Sequence, residues 1–202
     1  MNQPLKASMG GNPESQEPTY RDASSYFEGM VSEAAKELNK QVRLQVSWAE
    51  TAMSNSCLAM IFEPITHLIR NAVEHGIELP KERTAIGKPP VGMITLNAYQ
   101  EGDCVVLNVK DDGRGLDASY LREKAIKDCM ISSDCILSDY EIYQLIFQAG
   151  FSTVDQMVNQ PPRGFGMNRA LKGIESLNGY IDLHSMRREG VRFTIRVPFV
   201  DR

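Results

Sequence analysis

Hydrophobic residues recur every three or four positions between Leu58 and Gly76, a spacing that predicts a helix with one apolar side. Residues His67, Asn71 and His75 are four apart, so they follow one line along that helix. The line runs towards the edge of the apolar stripe. It fits either a lined pocket or the ordinary polar border of an amphipathic helix. A proline at position 64 is expected to kink or restart this helix, and Ser54 or Asn55 to cap it.

Other segments show the same helical period or the alternation of half-buried strands. Between Gln41 and Trp48, every second residue is hydrophobic, which predicts a strand. The predicted helices span 22–39, 119–127, 139–147 and 167–177. The predicted strands span 41–48, 93–99, 104–109, 180–185 and 191–197. Residues 100–103 look like a hairpin connection, the proline-rich stretch after Gly76 like a loop, and Asn178-Gly179 like a left-handed helix cap.

The order of these elements predicts the fold class. Hairpin-linked strands imply a mixed, mostly antiparallel sheet, and helices that pack on one of its faces give a two-layer α/β (α+β) sandwich. Residues 1–21 are rich in Gly, Pro, Ser, Gln and Asn, so we expect a disordered polar tail. Residues 22–202 are expected to form the domain.

Composition restricts the class of protein. A length of 202 residues with 42% hydrophobic and 24% charged residues suits one globular domain. The net charge of −4 argues against nucleic acid as a partner. Four cysteines without a Cys-x-x-Cys pair, beside only three histidines, argue against a zinc site and fit a reduced, cytoplasmic protein. The sequence has no long apolar run, so membrane insertion is not expected.

Two glycine-containing segments carry candidate chemistry. The sequence Asp111-Asp112-Gly113-Arg114-Gly115 follows a strand and pairs a carboxylate acceptor, as an adenine amine requires, with backbone that a flat ligand can approach. An acidic surface turn would have the same composition. The segment Arg163-Gly164-Phe165-Gly166 precedes a helix, where free N–H groups favour phosphate, although it also fits a plain glycine-rich loop. Mixed charges at 81–83 and 187–189 are expected to be solvated surface.

Together these segments resemble the ATP-binding catalytic domain of chemotaxis-type (CheA-like) sensor histidine kinases, a branch of the GHKL or Bergerat-fold ATPases. The resemblance covers roughly residues 22–199. The blocks that carry it, in the family's order and spacing, are PITHLIRNAVEHGIE (64–78), GKPP (87–90), DDGRGLD (111–117), GFST (150–153), RGFGM (163–167) and FTIRVP (193–198). It implies a Bergerat ATP-binding fold with a helical lid insert at about 117–163.

The resemblance also implies ATP and Mg²⁺ as cofactors and a role for each matching residue. Asn71 would hold Mg²⁺, and His67 would act as a base or positioning group. Asp111 would accept from the adenine amine, with Gly113 and Gly115 giving clearance. The other implied ATP-binding residues are Arg70, Glu74 and His75 on the phosphate side, Phe151, Ser152 and Thr153 at the lid edge, and Gly164, Gly166 and Met167 facing the phosphates.

The chain departs from the family pattern at three positions. Pro162 replaces a glycine before Arg163, Asn168 replaces an acidic residue after Met167, and Val191 lacks the threonine hydroxyl beside the adenine. These changes put turnover in doubt rather than the fold. The expected function is transfer of the ATP γ-phosphoryl group to a histidine on a separate phosphotransfer or signalling protein in two-component signalling. The alternative is a catalytically weak nucleotide-binding or docking module. A protein-serine kinase is a third possibility. The starting Met1 favours a free-standing protein over a fragment.

Overall fold

A computed structural model describes residues 19–48, 55–151 and 167–198 of the chain. The helices are α1 (Tyr20–Glu37), α2 (Asn55–Asn71), α3 (Pro80–Ala85), α4 (Ala118–Lys127), α5 (Asp139–Gln144) and α6 (Met167–Glu175). A π-helical segment (Ala72–Gly76) continues α2, and a 3-10 turn (Leu145–Phe147) continues α5. The strands are β1 (Val42–Trp48), β2 (Gly92–Glu101), β3 (Cys104–Asp111), β4 (Tyr180–Met186) and β5 (Gly190–Pro198).

The five strands form one mixed sheet in the order β1-β2-β3-β5-β4. Strand β1 runs parallel to β2, with Val42 opposite Gly92, and α2 makes the crossover between them. The other three pairings are antiparallel. The predicted mixed, mostly antiparallel sheet of an α/β sandwich is therefore confirmed.

The core lies between the sheet and the helices on one face. Most of the apolar stripe of α2 is fully buried there, namely Leu58, Ile61, Ile65, Leu68 and Ile69, whereas Phe62 is half-buried. Along β1 the hydrophobic residues are half-buried and the polar ones exposed, as the alternation predicted. On the opposite face of the sheet, Lys110 and Arg192 are exposed neighbours on β3 and β5. Among the described residues, no helix has the length and hydrophobicity to cross a membrane.

The structure differs from the sequence-based expectations in several local features. Helix α1 begins at Tyr20, inside the expected tail, because Thr19 and Asp22 form a capping box at its start. Helix α2 runs through Pro64 without a restart. Its first residue is Asn55, and Ser54 lies outside the described residues. The proline-rich loop after Gly76 contains a short helix, α3, with Pro80 in its first turn.

Candidate functional site

Asp111 ends β3 and is almost completely buried, with 4% of its surface exposed. Its carboxylate accepts hydrogen bonds from the backbone N–H groups of Gly113, at 2.8 Å, and Val191. Burial outweighs both bonds and raises the pKa of Asp111 from 3.8 to about 6. At pH 7 the side chain is therefore a charged, partly desolvated acceptor, which favours binding of a ligand that can donate a hydrogen bond.

Glycines surround this carboxylate where other residues would not fit. A Cβ atom on Gly76 would lie 3.2 Å from Oδ1 of Asp111, and one on Gly113 would overlap the carbonyl oxygen of Gly76. At Gly190, which has a φ of +102°, a Cβ would overlap the carbonyl oxygen of Asp111. Gly115, with a φ of +71°, packs its backbone against the carbonyl of Met186. The glycines let three chain segments meet at backbone distance around one acid.

Asn71 lies at the junction between α2 and the π-helical segment. Its side-chain Nδ2 donates to Sδ of Met167, at 2.8 Å, so α2 meets the first residue of α6. Within the described part of the chain, no hydrogen bond to the amide oxygen of Asn71 is found. Lys40 stabilises the π-helical segment by donating to the carbonyl oxygens of Val73, at 2.8 Å, and Glu74, at 2.7 Å.

The π-helical segment changes the expected polar line on α2. Each π turn takes in an extra residue, so His75 does not continue the α-helical line of His67 and Asn71. The side chain of His67 is 15% exposed, whereas that of His75 is 50% exposed. Burial lowers the pKa of both imidazoles below 6.5, so both are mainly neutral at pH 7. Nε2 of His67 lies 3.8 Å from Oε1 of Glu63.

Two other residues expected on the phosphate side, Arg70 and Glu74, lie at the surface. Their side chains are 51% and 36% exposed and 3.7 Å apart. Phe151 is 6% exposed. The remaining expected contacts, Ser152, Thr153, Gly164 and Gly166, lie outside the described residues, as does Pro162. The expected lid begins with α4 and α5.

The structure connects the polar helix to the Asp111 turn and to the start of α6, whereas the predicted segment 163–166 lies outside the described residues. Gly76 accepts a hydrogen bond from the backbone N–H of Arg114, at 3.0 Å, so the end of the π-helical segment meets the Asp111 turn. Asn71 meets α6 through Met167. The β4–β5 hairpin also touches the turn, since Arg188 donates to the carbonyl oxygen of Arg114 at 2.8 Å. Sequence analysis did not predict this third contact.

A buried charge cluster behind the Asp111 turn was also missed. Residue Arg83 was expected at the solvated surface but has no exposed area, which corrects that expectation. Its guanidinium contacts Glu78 at 2.9 Å and the side chain of Asp112 at 2.8 Å, and its Nε donates to the carbonyl oxygen of Pro89. Lys88 adds a second cation, 2.9 Å from Glu78. The GKPP block contains Lys88, but nothing in the sequence marks Arg83 as buried.

Residue types at the site fit a nucleotide with Mg²⁺. A magnesium ion on a nucleotide takes few protein ligands and several phosphate and water oxygens. In the described ranges, no group of three or more His, Cys, Asp or Glu side chains could hold a metal by itself. Asn71, with its amide oxygen, fits the role of a single protein ligand.

Comparisons with known proteins agree with this geometry. Bacillus subtilis chemotaxis protein CheA is 39% identical over 174 residues, which cover 85% of this chain and 26% of that protein. The Helicobacter pylori sensor histidine kinase CheAY is also 39% identical, over 85% of this chain and 22% of its own length. The chain thus spans about a quarter of the length of these relatives. Their similarity confirms the resemblance to chemotaxis-type kinases.

Solved structures show the same fold. The catalytic domain of histidine kinase ThkA, in a nucleotide-free form, superposes with a TM-score of 0.53 at 18% identity, covering 89% of this chain and 91% of that one. Residues 60–201 match the family described as histidine kinase-, DNA gyrase B-, and HSP90-like ATPase. The chain belongs to this histidine kinase-, DNA gyrase B- and HSP90-like ATPase family.

Proposed function

We propose that this chain is the Mg²⁺-ATP-binding catalytic domain of a chemotaxis-type histidine kinase. It transfers the γ-phosphoryl group of ATP to a histidine on a separate protein of a two-component system. The observation that carries the proposal is the buried Asp111 carboxylate, enclosed by glycine backbone, on a fold whose relatives are histidine kinases.

ATP would bind with its adenine amine donating to Asp111. The backbone at Gly113 and Gly115 would give the base clearance, and the phosphate contacts would come from Gly164, Gly166 and Met167. The proposal assigns the closing edge of the lid to Phe151, Ser152 and Thr153. This arrangement is supported by the position of Met167, which contacts Asn71 on the proposed phosphate side.

Asn71 would hold Mg²⁺, which neutralises phosphate charge when it is bound. The main remaining task of the protein would be to position the γ-phosphoryl group and the acceptor imidazole. The acceptor imidazole attacks through its unprotonated nitrogen, an N–P bond forms, and the bond to the ADP oxygen breaks. A proton leaves the other nitrogen of the acceptor, and His67, neutral at pH 7, can receive it or position the groups. Arg70, Glu74 and His75 line the phosphate side.

The acceptor would be a histidine-phosphotransfer domain or signalling protein acting in trans in the cytoplasm. None of the segments described here offers a candidate acceptor at the site: His184 lies exposed on β4, and the other two histidines are the proposed site residues. The chemotaxis relatives support a partner of this class.

The variant Asn71→Ala tests the proposal. We expect it to abolish transfer of labelled γ-phosphate to a panel of phosphotransfer domains, because the metal ligand is lost, while the thermal midpoint stays near that of the wild type. The variant Asn97→Ala, on an exposed position of β2, is the matched control and should transfer normally. Undiminished transfer by Asn71→Ala would refute the assignment. Tight ATP binding without transfer by the wild type would favour the weak docking module instead.

A further inference from the structure

Lys88 holds the back of the Asp111 turn at two successive peptide groups. Its Nζ donates to the carbonyl oxygen of Asp112, at 2.8 Å, and to that of Gly113, at 2.7 Å. The side chain is only 16% exposed, and Glu78, at 2.9 Å, balances its charge. A single ammonium group thus uses its three donors on two adjacent carbonyls and one carboxylate.

The opposite ends of these two peptide groups point away from Lys88, towards Asp111 and Gly76. A peptide group is planar and trans, so its N–H points away from its carbonyl oxygen. The peptide that joins Asp112 to Gly113 offers its carbonyl to Lys88 and its N–H to Oδ1 of Asp111, at 2.8 Å. The next peptide offers its carbonyl to Lys88 and the N–H of Arg114 to Gly76, at 3.0 Å.

Fixing the carbonyl ends therefore fixes the directions of both N–H groups. The first sets the orientation of the Asp111 carboxylate, and the second ties the turn to the end of the π-helical segment. A cation at the carbonyl oxygen also polarises the amide and strengthens its N–H as a donor. Glycine at position 113 gives this backbone no stiffness of its own, so the turn depends on such external contacts.

We propose that Lys88 is a positioning residue that sets adenine selectivity, because it orients the Asp111 carboxylate through the intervening peptide groups. The inference rests on the proposed function, in that Asp111 must receive the adenine amine. Lys88 itself contacts Glu78 and the two carbonyls, and it would touch neither base nor phosphate. Its effect should consequently appear in the choice of base rather than in phosphate binding.

The test compares ATP with inosine triphosphate, in which a carbonyl oxygen replaces the exocyclic amine of adenine. Calorimetry gives the Kd of both nucleotides, with Mg²⁺, for the wild type and for Lys88→Met, which keeps the apolar stem but removes the ammonium group. The variant Lys81→Met, exposed on α3, is the matched control. A thermal melt of each protein reports folding separately.

We expect Lys88→Met to weaken ATP binding about tenfold and to leave inosine triphosphate binding nearly unchanged, as for loss of one well-oriented hydrogen bond. The ratio of the two affinities should fall about tenfold, while Lys81→Met keeps the wild-type ratio. An unchanged ratio in Lys88→Met, with both affinities equal to wild type or equally weakened, would overturn the proposal and leave Lys88 a stabilising residue.

A second variant covers the case in which Lys88→Met does not fold. The side chain of Lys88→Gln can still donate to one carbonyl, so the ratio should fall by a smaller factor; a wild-type ratio in this folded variant would overturn the inference. A wild-type protein that binds neither nucleotide would refute the proposed function itself, which distinguishes the two failures.

Discussion

At the scale of single residues, Asp111 lowers the stability of the fold at pH 7 but provides the acceptor proposed for the adenine amine. Its burial raises its pKa to about 6, so keeping the carboxylate charged at pH 7 opposes folding. The folded protein holds this proton more tightly than the unfolded chain, whose aspartate titrates near 3.8. Stability contributed by the protonated acid is thus present below about pH 4 and is lost as the pH rises through 6.

We predict that Asp111→Asn stabilises the protein at pH 7 by about 1–3 kcal/mol, because the amide carries no charge to desolvate. The gain should develop between about pH 4 and pH 6 and stay constant above that range. Urea unfolding of both proteins across this pH series measures it. ATP binding should be lost in the same variant, since the amide's oxygen is a weaker acceptor. A stability difference that does not vary with pH would contradict the assigned pKa.

Gly190 gives a second prediction at this scale. We expect Gly190→Ala to destabilise the protein by about 3 kcal/mol or more, because the new methyl would overlap the carbonyl of Asp111 at a left-handed backbone position. Gly102, with a φ of +59° and open space around it, is the control, and Gly102→Ala should cost only about 1 kcal/mol. Chemical denaturation distinguishes the two, and equal losses would mean that crowding at Gly190 is not the cause.

Sequence analysis could identify some of these residues but not others. A carboxylate followed by alternate glycines after a strand marked Asp111, because that pattern is local. The burial of Arg83 could not be predicted, because one of its partners, Asp112, is 29 positions away. A charged residue between Glu82 and Thr84 also looks like ordinary surface. Pairing across such a distance leaves no periodic signal in the chain.

At the scale of elements, α3 connects the chain just after the π-helical segment to the Asp111 turn, because Arg83 on α3 contacts both Glu78 and Asp112. It is only six residues long, too short to be stable alone, and tertiary contacts keep it in place. Arg83 projects from it, fully buried, into the charge cluster with Glu78 and Asp112. Strands and long helices were predictable because each repeats its period several times. The short helix and the π-helical segment were not, because neither completes two turns.

We predict that Arg83→Met destabilises the protein by about 3–5 kcal/mol, because Glu78 and Asp112 would lose their shared buried cation. The variant Arg187→Met removes an exposed arginine, 78% accessible and 3.5 Å from Asp117, and should change stability by less than about 0.5 kcal/mol. Thermal and urea unfolding measure both. A small effect of Arg83→Met would show that Lys88 alone satisfies the cluster.

At the scale of the whole molecule, ligand binding and folding are linked. The site draws on the π-helical segment, the end of β3, the β4–β5 hairpin and α6, which come together only in the folded chain. ATP with Mg²⁺ at a hundred times its Kd should therefore add about 2.7 kcal/mol to the free energy of unfolding. Urea titrations with and without nucleotide test this, and Asp111→Asn should show no gain. An equal gain in that variant would place the nucleotide elsewhere.

The pairing of β3 with β5 has a consequence for chain length. These two neighbours flank residues 112–189, a span that contains the expected lid, α6 and β4, so their pairing closes a long stretch of chain. The entropy lost on closing a loop grows only with the logarithm of its length, about 0.6 kcal/mol for each doubling. Residues can thus be added to or removed from the segment before α6 at little thermodynamic expense. The fold thus allows the segment between β3 and α6 to vary in length while the sheet that carries Asp111 stays the same.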